Sequence, residues 1–105
     1  MVAEISPAEC AERLRSATPP VLLDVREAWE LEQARLPGTL HIPMSEIPAR
    51  LPELDRAADV VVLCRSGVRS LDVARFLEQQ GFRAYNLRGG ILAWGREVDP
   101  ALAPY

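Results

Sequence analysis

Residues 61–70 read VVLCRSGVRS, and they put a thiol where an anion could be held. Cys64 ends a run of apolar, mostly β-branched residues. Arg65, Ser66, Gly67, Val68, Arg69 and Ser70 follow it with no carboxylate among them. A cysteine is a strong nucleophile only as thiolate, and its pKa falls from about 8.5 when cations or a helix start face the sulfur. If the apolar run is a strand and the chain then curls into a helix near Arg69 or Ser70, several backbone N–H groups and the positive helix end point at Cys64. Gly67 permits that curl. The expected nucleophile is therefore Cys64, with Arg65, Ser66, Gly67, Val68 and Arg69 as the bowl that binds the substrate anion. Ser70 either adds a hydroxyl or starts the helix. The plainer alternative, a cysteine closing a buried strand as a small hydrophobe, fits poorly with such basic and hydroxylic neighbours.

A bowl of this kind sits beyond the carboxyl end of a strand in an open parallel sheet, so the rest of the chain must supply that sheet. VAEIS reads as a short strand. Ser6, Pro7 and Glu9 then form a helix start with a capping box, predicting a helix from Pro7 to Ala17 with Ala11, Leu14 and Cys10 turned inward. VLLDV reads as a buried strand, REAWELEQA as helix, LPGTLHIPM as a short strand, SEIPARLPEL as helical turns broken by Pro48 and Pro52, and DVVVLC as the clearest strand. After the loop, Leu71, Ala74 and Leu77 lie at helical spacing opposite Asp72, Arg75 and Gln79, and Gly81 ends that helix. RAYNL is a last strand and GGILAWG a last helix, while residues 98–105 read as an appended tail. Strands alternating with helices imply an α/β fold with the sheet covered on both faces.

Composition narrows the function. A chain of 105 residues supports one domain, and 49% hydrophobic content supports a folded core. A net charge of -3 argues against nucleic acid or an anionic membrane as partner, because each calls for a basic excess. No apolar stretch approaches the roughly 20 residues of a spanning helix, and no basic segment followed by an apolar run opens the chain. A cytoplasmic protein is expected. Cys10 and Cys64 are too few for a disulfide framework, and with His41 they lack metal-ligand spacing, so no metal is expected.

Four residues separate Cys64 from Arg69. Tyrosine and dual-specificity phosphatases place five between the corresponding residues, and the shorter ring of N–H donors better suits a single extra sulfur atom than a phosphoryl group. Together with LLDVRE at 22–27, LPGTLHIP at 36–43 and NLRGGILAW at 86–94, the loop segment makes the chain resemble the rhodanese family of sulfurtransferases. The pieces occur in the family's order and span almost the whole chain. One departure stands out: Ala34 and Arg35 occupy the positions where relatives usually carry Gly-His, a change that bears on local packing.

The resemblance implies a single rhodanese-like domain with a five-stranded, mostly parallel sheet and helices on both faces. It implies that Cys64 accepts a sulfane sulfur as a persulfide cradled by the loop Cys64 to Arg69, with no cofactor. A small sulfur-containing anion such as thiosulfate, or a polysulfide, would donate, and cyanide or a thiol would accept. Arg65 or Arg69 would orient the anion. Asp24 and Arg26 take a supporting place, with Arg26 expected to meet Glu27 or Glu30 in a charge network under the loop. His41, Trp29 and Trp94 are expected to pack rather than react. Two other readings stay open: a rhodanese-like module that delivers sulfur to a protein acceptor or only binds a partner, and a cysteine phosphatase or arsenate reductase.

Overall fold

The computed structural model describes residues 2–102. Five strands, β1 (Ala3–Ile5), β2 (Val21–Asp24), β3 (Leu40–His41), β4 (Asp59–Leu63) and β5 (Arg83–Leu87), form one sheet in the order β1-β5-β4-β2-β3. All of its pairings are parallel, so the expected mostly parallel sheet is wholly parallel. The chain runs outward from β2 to β3 on one side and returns to β4 on the other. The carboxyl ends of β2 and β4 therefore flank the point where the strand order reverses, the usual place for a ligand in such sheets. Asp24 ends β2 opposite Leu63, and Cys64 follows directly.

Parallel strands need crossovers, and the crossovers cover both faces. The helices are α1 (Pro7–Leu14), α2 (Ala28–Gln33), α3 (Ile47–Arg50), α4 (Val68–Gln79) and α5 (Gly90–Glu97). The two-residue period of β4 sends Val60 and Val62 to one face, with Cys64 beyond them, and Val61 and Leu63 to the other. The first set joins Ile47, Val73, Ala74 and Leu77 of α3 and α4. The second joins Cys10, Ile91 and Trp94 of α1 and α5.

Local chemistry explains the element ends. The Ser6 hydroxyl accepts the Glu9 N–H at 3.1 Å while the Ser6 N–H donates to the Glu9 carboxylate at 3.3 Å, the capping box expected at α1. That helix stops at Leu14 rather than Ala17. The Ser16 hydroxyl donates to the Arg13 carbonyl and accepts the Thr18 N–H, giving the backbone a turn in place of another helical residue. Between β3 and β4, α3 is flanked by 3-10 turns at Met44–Glu46 and Leu51–Glu53, with Pro48 and Pro52 in the first turns of their segments, where a missing N–H is harmless. Gly81 (φ +92°) closes α4: its N–H donates to the Glu78 carbonyl and the Phe82 N–H to that of Leu77. In the stretch read as a tail, Val98 and Leu102 pack against the cluster around Trp94, and residues 103–105 lie outside the described residues.

Leu77 is fully buried where α4 meets the sheet. Leu77→Ala is expected to destabilise the protein by about 2–5 kcal/mol, read as a lower urea midpoint with an unchanged slope.

Candidate active site

The chain leaves β4 at Leu63 and turns back over Cys64 within three residues. Gly67 makes this possible: its φ of +98° lies in the left-handed region, and it serves as the N-cap of α4. The helix thus starts at Val68, ahead of the Arg69 or Ser70 start that the sequence suggests. The glycine pair Gly89-Gly90, after β5, closes the site from the other side. The Ile91 N–H donates to the Cys64 carbonyl at 2.9 Å and the Leu92 N–H to the Arg65 carbonyl at 3.1 Å. Gly90 passes so near that a Cβ there would come within 2.5 Å of both carbonyl oxygens.

Cys64 is 1% exposed, yet its sulfur is surrounded by donors. The Gly67 N–H reaches Sγ at 3.1 Å and the Ser70 N–H at 3.4 Å, with the Ser70 hydroxyl 3.3 Å away. Burial pushes the thiol pKa up and is the largest single influence. Hydrogen bonding to the Ser70 hydroxyl and to the Ser70, Gly67 and Ser66 N–H groups more than offsets it, leaving the pKa below the ordinary thiol value. Cys10 has no such donors, and burial pushes its pKa up to about 11. The same residue type thus has opposite chemistry at the two positions.

The remaining loop residues divide by direction. Arg65 and Ser66 are exposed at the surface, and Val68 opens α4 with its side chain in solvent. Arg69 turns the other way. Its two terminal nitrogens meet the Glu30 carboxylate at 2.7 and 2.8 Å, a two-pronged pair that holds the loop against α2. The Arg69 guanidinium holds the nearly buried Glu30 carboxyl below the usual range despite its burial.

The charge network under the loop has a partner beyond those expected, Asp24. Arg26 pairs with Asp24, its Nε and Nη2 meeting the Asp24 oxygens at 2.7–3.1 Å, and both side chains are fully buried. The remaining donors of Arg26 reach the carbonyls of Glu30 (3.4 Å) and Ala34 (2.8 Å), and its own carbonyl accepts from His41 Nε2 at 2.7 Å. A planar five-donor cation can satisfy that many buried acceptors at once, which an ammonium cannot. Arg26 thereby anchors the chain at Ala34, where the sequence departs from the family pattern. Trp94 is buried as expected, but Trp29 is 52% exposed, because α2 spends its inward face on Glu30 and Leu31.

One participant is absent from the sequence reading and another has an unforeseen partner: Asn86 is read there only as part of a strand, and Glu30, expected as a possible partner of Arg26, also binds Arg69. Asn86 Oδ1 lies 2.5 Å from the Ser70 hydroxyl. The signal was available: β5 is an interior strand, and an asparagine two residues after Ala84 faces the same packed side. Among the described residues no cluster of His, Cys, Asp and Glu could hold a metal ion, and no helix is long and apolar enough to cross a membrane.

A sequence model of the rhodanese-like domain matches residues 6–97. The chain belongs to the rhodanese-like domain family. A sulfurtransferase of Allochromatium vinosum is 43% identical over 99% of this chain and 98% of its own length. Among solved structures, a rhodanese-like domain protein from Staphylococcus aureus superposes with a TM-score of 0.86 at 32% identity, covering 99% of each chain. The domain also matches part of a larger enzyme, an NAD-dependent persulfide reductase of A. fulgidus, at 34% identity and a TM-score of 0.73, over 89% of this chain and 16% of that one. These relatives support sulfur transfer as the chemistry of this rhodanese-like domain.

Two outcomes follow from the geometry. Iodoacetamide near pH 7 is expected to modify Cys64 and spare Cys10, with the Cys64 rate falling only as the pH drops through a midpoint below the ordinary thiol value; peptide mass mapping reads both. Arg26→Met leaves Asp24 buried without its cation and is expected to cost about 3–5 kcal/mol in a denaturant titration.

Proposed function

We propose that the protein transfers sulfane sulfur through a persulfide on Cys64. The observation that carries this reading is a buried sulfur with successive N–H donors aimed at it inside a six-residue loop. The Cys64 thiolate attacks the outer sulfur of thiosulfate; the new S–S bond forms as the old one breaks, and sulfite leaves with the electron pair. A polysulfide or another persulfide can replace thiosulfate as donor. A thiophilic acceptor, cyanide or a thiol, then takes the outer sulfur and returns the thiolate. Neither displacement calls for a cofactor, and the donors that lower the Cys64 pKa favour the thiolate that each step uses. A reducing compartment such as the cytoplasm would keep Cys64 available.

The bowl supports these steps by holding negative charge in fixed dipoles on a site closed to bulk water. Arg69, Gly67 and Ser66 shape it. Arg69 is engaged by Glu30, so in this reading it sets the loop wall, while Arg65, exposed beside the nucleophile, draws in the donor anion. Ser70 and the Asp24–Arg26 pair support from behind.

A protein acceptor is the second reading. Val68, at the start of α4, and Trp29, next to the Glu30 that grips Arg69, are the exposed large hydrophobic side chains among the described residues, and both lie in segments that bound the loop. Apolar groups so placed suit contact with another protein.

Incubation with thiosulfate is expected to add the mass of one sulfur atom to the intact protein, and cyanide added afterwards to release thiocyanate. Cys64→Ala abolishes both and Cys10→Ala neither. Arg65→Ala is expected to raise the KM for thiosulfate roughly tenfold, about the value of one charge-assisted contact, measured beside the urea midpoint. Arg69→Ala lowers that midpoint as well, because Glu30 loses its cation. Loading from a protein persulfide but not from thiosulfate would favour the second reading; aryl phosphate hydrolysis at a comparable rate would overturn both.

A further inference from the structure

Asn86 is 1% exposed, and its amide is held in one orientation. Nδ2 lies 2.9 Å from the Glu4 carboxylate and 3.1 Å from the Gly67 carbonyl, two groups that can only accept. The amide nitrogen must face them, so Oδ1 must face Ser70. At 2.5 Å from Oδ1, the Ser70 oxygen can only be donating its proton to it. The Ser70 hydroxyl then turns lone pairs toward Cys64, and the thiol S–H donates to it across 3.3 Å. A hydroxyl has one proton. Ionised Cys64 also needs it, and Asn86 Oδ1 competes for it.

We propose that Ser70 and Asn86 form a two-position hydroxyl, with the Ser70 proton on Asn86 Oδ1 while Cys64 is a thiol or a persulfide and on Cys64 Sγ while it is a thiolate. The catalytic part of the proposal rests on the sulfur-transfer reading above. When the acceptor removes the outer sulfur, its lone pair forms the new bond, the S–S bond breaks and the electron pair stays on Sγ. The Ser70 O–H then turns from Asn86 to that new charge; no atom leaves the protein except the transferred sulfur. When the sulfur is loaded, the charge moves one bond outward and the proton returns to Asn86. Ser70 is thus a donor to the leaving thiolate, and Asn86 is a positioning residue that stabilises the uncharged Sγ. With the proton on Asn86 every buried side-chain nitrogen and oxygen among the described residues has a partner, whereas with the proton on Sγ the Asn86 Oδ1 loses the Ser70 hydroxyl.

The charged groups around this trio are Arg65 and Arg69 of the loop and α4, Glu30 of α2, the Asp24–Arg26 pair at the end of β2, His41 of β3 turned to the Arg26 carbonyl, and Glu4 of β1 behind Asn86. The substitutions that follow remove none of them. The experiment is the pH dependence of Cys64 alkylation in the intact protein. Ser70→Ala is expected to move the midpoint up by about one pH unit, the worth of one hydrogen bond to a charged group, and Ser70→Thr to restore it. Asn86→Leu removes the competing acceptor and is expected to move the midpoint down; if leucine unfolds the chain, Asn86→Ala serves. With Ser70→Ala already present, the Asn86 change is expected to have no further effect. An unchanged or upward shift for the Asn86 variant, or Ser70→Thr behaving as Ser70→Ala, overturns the two-position hydroxyl. Once loaded, Ser70→Ala is expected to discharge to cyanide about tenfold more slowly; a wild-type rate overturns the leaving-group role. Alkylation needs no sulfur donor, so midpoints that move as stated in a protein that never loads would sink the sulfur-transfer reading and leave the hydroxyl exchange standing.

Discussion

Charge on a buried sulfur is unfavourable unless dipoles replace the water it lost, and the arrangement at the end of β4 answers that constraint. Cys64 is almost inaccessible, and burial alone would make it as inert as Cys10. The donors that reverse this are the Ser70 hydroxyl and the backbone N–H groups of a loop that could point them anywhere. They point inward because Gly67 takes a left-handed conformation and because the Cys64 and Arg65 carbonyls, which would otherwise compete, are bound from the far side by Ile91 and Leu92. The site therefore depends on the close passage of Gly90 as much as on the loop itself. A side chain at Gly90 would strike the carbonyls it helps to fix.

Around this inner ring lies an outer one made of ion pairs. Arg69 grips Glu30 on α2, and α2 is in turn held by Arg26, whose guanidinium spans Asp24 and the carbonyls of Glu30 and Ala34. Buried pairs of this kind add little net stability compared with apolar packing, because desolvation consumes most of the attraction. Their use is geometric. Two forked cations link the carboxyl end of β2, helix α2 and the start of α4, so the loop cannot drift from the sheet without breaking directional contacts. One cost is visible: an arginine held by a carboxylate presents less positive charge to an incoming anion.

Much of this was legible in the sequence. The apolar run ending at Cys64, the capping box at Ser6 and the glycines at 67 and 81 each have a local physical meaning, and the structure uses them accordingly. Pairing among charges was less legible, because it depends on which segments the fold brings together. Arg69 and Glu30 are 39 positions apart, so neither spacing nor periodicity could join them, whereas Arg26 and Asp24 are two apart and were passed over for neighbours that better fit a helix. Trp29 illustrates the same gap. Its size argued for burial, but a helix as short as α2 has room for few inward positions, and Glu30 needed one.

Burial of the nucleophile bears on which reaction it can serve. A sulfur sunk to 1% exposure cannot move far toward its target, so the target must enter the bowl, and a ring closed after four intervening residues admits little bulk. A single sulfur atom satisfies that limit. In the proposed reading it also keeps the charge inside the ring, on Sγ before loading and on the sulfur bonded to it afterwards. A phosphoryl group would bring three charged oxygens and a trigonal transition state into the same space, with no carboxylic acid among the loop residues to protonate a leaving group. Holding one anion that moves by one bond length is the task to which the donors, the glycines and the ion pairs are jointly suited, and it makes sulfur transfer the most economical reading of the site.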